Sequence, residues 1–155
     1  MDKLEYIPGD LVMTNGVPLG TAKDVVYRVT SSDPSKTLKL DGGIVLKGVV
    51  RLENIEGAEF GDKGYLLGEC CAWVKDIVPI PLTPEILEKN GWKKDGKWYK
   101  LATKRAYLYI TKDAKVNDEF LVCVGDDKHN LASVSFVHEL QHFLYGLKIN
   151  SEMEV

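Results

Sequence analysis

Trp73-Val74-Lys75-Asp76-Ile77-Val78-Pro79-Ile80-Pro81-Leu82 is the stretch that decides how this 155-residue chain divides. It begins as an apolar, β-branched run suited to a strand. Prolines at 79 and 81 then deny the ladder two donors and hold their predecessors extended, so the chain is expected to leave the sheet there. The next residues have the makings of a helix start. Thr83 is placed as N-cap, Pro84 takes the first helical position, Glu85 lies near the positive end of the dipole, and Asn90-Gly91 supplies the stop. A strand that stiffens into a connector and hands over to a fresh helix marks a boundary, placed here between residues 80 and 81.

Upstream of that boundary, turn signals at Pro8-Gly9, Asn15-Gly16, Asp33-Pro34, Asp41-Gly42-Gly43 and Gly61-Asp62 separate short runs rich in Val, Leu and Ile. The runs alternate. Val25, Tyr27 and Val29 fall on one side of an extended segment and Val26, Arg28 and Thr30 on the other. Leu38 and Leu40 repeat the pattern around lysines, as do Val50 and Leu52 around Arg51. Short strands at this spacing predict a small barrel or sandwich over residues 1–80.

Downstream, the expected order is helix, strands, helix: an αβββα unit over 81–155 with an antiparallel sheet. Trp92 to Leu101 reads as a hairpin about Asp95-Gly96. Tyr107 and Tyr109 alternate with Leu108 and Ile110, and Phe120 to Val124 is a further apolar run. Gly125 to Asn130 is polar and reads as a loop. From Phe136 to Leu147 the positions Phe136, Leu140, Phe143, Leu144 and Leu147 recur at helical spacing, with Val137 at the edge, and predict the buried stripe of a last helix.

Composition sets the class: 45% hydrophobic and 28% charged residues belong to an ordinary globular protein. No apolar run approaches the roughly 18 residues of a membrane span. Met1 to Glu5 lacks the basic start and apolar stretch of a signal peptide, so the expectation is a cytoplasmic protein with no membrane partner. Three cysteines fit a reducing compartment, with Cys71 and Cys123 expected as buried thiols inside apolar runs. The formal net charge of -3 argues against general attraction to nucleic acid.

Ile80-Pro81-Leu82-Thr83-Pro84-Glu85-Ile86-Leu87 with Asn90-Gly91-Trp92, and Val137-His138-Glu139-Leu140-Gln141 near the carboxyl end, resemble a group of small uncharacterised proteins encoded by phages, prophages and other mobile elements of gut anaerobic bacteria. The resemblance covers residues 77–92 and 136–147 closely. In that group a stretch like Pro8-Gly9-Asp10-Leu11-Val12 opens an SH3-like small barrel that ends at the connector, so the resemblance implies an SH3-like N-terminal unit over 1–80. It implies no activity.

Two motifs carry chemistry. His138-Glu139-Leu140-Gln141-His142 fits the HExxH pattern in which two histidines one turn apart bind zinc and the glutamate activates its water. A zinc-dependent hydrolase built on it takes His138 and His142 as ligands and Glu139 as catalytic base. A third ligand is hard to find: thirteen residues follow His142, Glu152 and Glu154 lie too near the helix, and His129 or Asp127 demands an upstream geometry. At 100° per residue both histidines also point away from the Phe136, Leu140, Phe143 and Leu147 stripe, toward the expected solvated face. The related proteins commonly carry asparagine at the position of His142, which makes the match incidental.

The second motif is the basic, aromatic hairpin of residues 92–105. Lys93, Lys94, Lys97, Lys100, Lys104 and Arg105 surround Trp92, Trp98 and Tyr99, a mixture suited to phosphate contacts and base stacking. The same residues suit the wet side of a sheet whose aromatic side packs on helices. The fold expected is therefore α+β. The function expected is a non-enzymatic binding or accessory protein with a protein partner and no cofactor. Nucleic-acid binding through the hairpin and zinc hydrolysis through HExxH are the alternatives.

Overall fold

The computed structural model of the chain describes residues 5–15, 25–54, 70–112 and 119–155. The chain forms two compact units, Met1–Ile80 and Pro81–Val155. Each contributes an antiparallel sheet, and the described α-helices belong to the second, so the class is α+β with a strong β bias.

The first unit is a meander whose last strand returns beside its first. Strands β1 (Leu11–Thr14), β2 (Tyr27–Lys39), β3 (Val45–Asn54) and β4 (Cys70–Trp73) follow in order, a 3-10 turn (Val74–Asp76) reverses the chain, and β5 (Ile77–Pro79) runs back along β1. The spatial order is β4-β3-β2-β1-β5 with every pair antiparallel. Alternation decides the core: Val25, Tyr27, Val29, Val50 and Leu52 are buried together with Tyr6, Val12, Ala72 and Ile77, while Arg28 and Arg51 face out. The return of β5 is fixed by polar contacts. Asn15 donates from Nδ2 to buried Asp76 Oδ1 at 2.8 Å, and its amide donates to the Asp76 carbonyl at 3.0 Å. Burial, helped by the nearby Glu5 and Asp10 carboxylates, pushes the Tyr6 hydroxyl up to about 12.

Three expectations for this unit are corrected. Asp33-Pro34 is not a turn between strands but a bulge inside β2, where the register against β3 slips between Asp33 and Thr37. Proline lacks a ladder donor, and Ser35 repairs the break by donating its amide and hydroxyl to Asp33 Oδ1 at 3.1 and 2.7 Å. Opposite the bulge Gly48 takes φ +86°, and a Cβ there would meet Val74 Cγ2 at 2.8 Å, so only glycine fits. Leu38 and Leu40 alternate as a strand should but remain 47% and 43% exposed, because the far end of the β2–β3 hairpin extends past the pairing of β1 and β4. Cys71 is exposed, since its register partner is the outward-facing Arg51 while its neighbour Ala72 takes the core position against Val50. Gly16 and the Gly61-Asp62 signal lie outside the described residues.

The second unit opens with α1 (Pro84–Lys89), whose N-cap Thr83 accepts from the Ile86 amide at 3.3 Å. Its end is the expected one, with Gly91 at φ +89°. The sheet then runs β6 (Lys93–Asp95), β7 (Trp98–Ala102), β8 (Tyr107–Lys112), β9 (Phe120–Val124) and β10 (His129–Val134), a five-stranded meander in the order β10-β9-β8-β7-β6. The unit is thus αβββββα rather than αβββα. The turn about Gly96 opens at φ +64° with Asp95 paired to Trp98, a two-residue loop of the II′ kind. The strand that sequence reading passes over is β10. Its residues His129 to Leu131 are exposed at a sheet edge, so the hydrophobic alternation that reveals a strand is missing there. The loop before it shrinks to Gly125–Lys128.

The last helix, α2 (Val137–Gly146), buries Leu140 and Leu144 of the expected stripe and Val137 at its edge, but not the rest of it. Val137, His138, Leu140, Gln141 and Leu144 are buried, whereas Leu147 is 46% exposed and Phe143 only half-buried. Relative to the full expected stripe, the inward direction is turned about the axis toward Val137, His138 and Gln141. Gln141 Nε2 donates to the Ser151 carbonyl at 3.1 Å, tying the tail to this helix face. Farther along, Asn90 Nδ2 donates to the Glu154 carbonyl and Asn90 Oδ1 accepts from the Glu154 amide, both at 2.7 Å, which fastens the same tail to the end of α1.

Candidate functional site

The five-stranded sheet has two unlike faces. Pairing puts Leu108, Ile110, Phe120, Val122 and Tyr99 on one side, the apolar one. On the other, Lys93 stands opposite Lys100, Asp95 opposite Trp98, Lys100 opposite Tyr109, and Ala102 opposite Tyr107. Lys93 and Lys100 therefore share a face with Trp98, Tyr107, Tyr109 and the Asp95 carboxylate.

Their spacing is close. Lys100 Nζ lies 3.9 Å from the ring centre of Tyr107 and 5.8 Å from that of Tyr109. Lys128 Nζ reaches across from the β9–β10 turn to 4.5 Å from Tyr109 and 5.7 Å from Trp98, and Lys97 Nζ lies 5.5 Å from Trp98. Trp98 meets Tyr109 edge to face at 6.2 Å. Ammonium groups over ring faces are held by the ring quadrupole, which arranges the charges as an ordered array. Beneath it Tyr109 and Cys123 are buried, while Tyr107 remains 45% exposed. Burial pushes the Cys123 thiol up, and the Lys128 charge pulls it partly back.

The nine hairpin residues singled out in the sequence do not form one surface, and Trp92 among them is buried. Lys93, Trp98 and Lys100 share the aromatic face, and Lys97 flanks it at the turn. Lys94 pairs with Tyr99 and belongs to the opposite face. Lys104 and Arg105 are exposed in the β7–β8 turn, which Thr103 closes through hydrogen bonds with Ala106. Sequence reasoning missed Tyr107, Tyr109 and Lys128 as members. The tyrosines were readable from alternation once β7 and β8 were paired, but Lys128 sits in a polar turn and joins only through the fold.

The HExxH residues take other roles. The Glu139 carboxylate is the N-terminal clasp of its own helix, with Oε1 accepting from the amides of Ser135 and Phe136 at 2.9 and 3.0 Å. His138 is buried, not solvated as the periodicity predicts, with its ring stacked on Phe136 at 6.0 Å and edge-on to His142 at 5.5 Å. Its inward position is a consequence of the rotation of α2. Among the described residues no group of three His, Cys, Asp or Glu side chains is placed to hold a metal ion. No helix among them is long and apolar enough to cross a membrane. Compared with known proteins, the chain matches no family model, no curated protein and no solved structure.

Proposed function

We propose that this chain is a non-enzymatic binding protein, an accessory factor of a phage or mobile element acting in the cytoplasm, whose second unit holds single-stranded nucleic acid on the aromatic face of its sheet. The observation that carries the reading is the placement of Lys93, Lys97, Lys100 and Lys128 around Trp98, Tyr107 and Tyr109 on one side of β6 to β8. Ammonium groups supply phosphate contacts, and exposed Tyr107 with half-buried Trp98 supplies sequence-tolerant stacking over buried Tyr109. The net charge of -3 leaves the attraction local to this face.

The first unit suits a protein partner. Its strand order, with a meander, a 3-10 turn and a final strand back beside the first, supports an SH3-like barrel, and small barrels of that kind serve as interaction modules by analogy. The exposed Leu38, Leu40 and Ile44 on the projecting hairpin add apolar surface for such a partner. Zinc hydrolysis draws no support from Glu139, whose carboxylate is occupied by two amides.

The test is fluorescence anisotropy with labelled oligo-dT and oligo-U at several salt concentrations. About three phosphate contacts predict a log–log salt slope near -2, and the Lys93→Glu/Lys100→Glu variant should flatten it by more than half. No binding at low salt, or binding unchanged in that variant, would defeat the reading.

A further inference from the structure

On the opposite side of the sheet from the array lies a groove of about 910 Å³, within the size range of small-molecule sites. It forms where the entries to the two helices meet the end of the sheet. Leu82 donates its amide to the Ser135 carbonyl at 3.0 Å and Pro81 pairs with Phe136, so these two entry segments run side by side and make one wall. The hairpin β6–β7 and the end of β8 make the other.

The lining has a definite chemistry. Phe120 is buried at the bottom, with Tyr99 and Phe136 half-buried beside it. Lys94, Lys97 and Lys112 are exposed and line the same groove, and no carboxylate is among the described residues that do so. Thr83 and Ser135 add hydroxyl groups. A flat apolar body resting on rings satisfies the floor, and an anion satisfies the rim. Two ammonium groups on the groove side, Lys94 and Lys112, with Lys97 beside them at the turn, suit a phosphate, with its charge near -2, better than a single carboxylate.

We infer that this groove binds a nucleoside monophosphate, with the base against Tyr99, Phe120 and Phe136 and the phosphate between Lys94 and Lys112. The inference is separable from the nucleic-acid reading of the other face, because Lys94 and Lys112 lie on the groove side while Lys93 and Lys100 lie on the aromatic side, and only Lys97, at the turn, borders both.

The experiment is an NMR titration of the intact chain with AMP. Saturable shifts are expected at the amides of Thr83, Tyr99 and Ser135. Lys94→Glu/Lys112→Glu should weaken binding about tenfold or more, from the loss of charge-assisted bonds. Both lysines are exposed, so the fold should survive, and an unchanged melting temperature checks it. The Lys93→Glu/Lys100→Glu variant should bind AMP as the natural chain does even if it has lost oligonucleotide binding. The inference is overturned by shifts confined to other residues or by full AMP affinity in the Lys94/Lys112 variant. It is equally overturned if decanoate or a glutamate-rich peptide occupies the groove and AMP does not.

Discussion

Glu139 Oε1 accepts the Phe136 amide at 3.0 Å, three residues back along the chain, so the acid that a zinc peptidase would aim at water here closes the first turn of its own helix. The Ser135 amide joins it at 2.9 Å. Truncation should act on stability. Glu139→Ala is expected to cost about 1 kcal/mol, and Glu139→Gln, which keeps an acceptor oxygen, considerably less. Chemical denaturation of the two variants measures the difference. Metal analysis of untagged protein should find no stoichiometric zinc, and zinc that disappears in His142→Ala would reverse the assignment of Glu139.

Asn90 binds three places at once. Its Nδ2 donates to the Ile86 carbonyl at 2.8 Å and to the Glu154 carbonyl at 2.7 Å, and its Oδ1 accepts from the Glu154 amide at 2.7 Å. The residue thus caps α1 and fastens the carboxyl-terminal tail. Asn90→Ala should destabilise the second unit by about 1–3 kcal/mol, since backbone groups it satisfies lose their partners. Limited proteolysis should also cut the tail after Asn150 faster than in the natural chain. Equal cleavage rates would show that the tail is held by other contacts.

Tyr6 gives the first unit an alkaline limit. Its hydroxyl is pushed up to about 12 by burial and by Glu5 and Asp10, so the folded form resists an ionisation that the unfolded chain undergoes near 10. A raised value in the folded state means that stability is fully present below pH 10 and declines as pH climbs toward 12. Tyr6→Phe removes the titrating group. Its melting temperature should fall less steeply than the natural chain's across that window, and parallel curves would refute the linkage.

Much of the architecture was legible because local rules and tertiary packing agreed. The proline connector, Thr83 with Pro84, Gly91, the Gly96 hairpin and the alternation of Val25, Tyr27 and Val29 all read the same way from sequence and in space. The readings that failed share a cause: burial there was decided by partners distant in the chain. Gln141 is buried with its amide donating to the Ser151 carbonyl, a partner that periodicity does not register, and His138 is buried on the same helix. Exposed β10 carries no alternation, and Leu38 extends past the strands that would have covered it.

Residue order by itself determined the division at the connector, both ends of α1 and the Gly96 turn, because each depends on the conformational limits of proline, glycine and short polar side chains within a few bonds. Tertiary structure alone decided which lysines share a surface. Lys93 and Lys94 are adjacent in sequence yet face opposite sides of the sheet, while Lys128 joins Lys100 from two strands away. A strand alternates its side chains at every residue, and register, fixed by pairing across the sheet, gathers them.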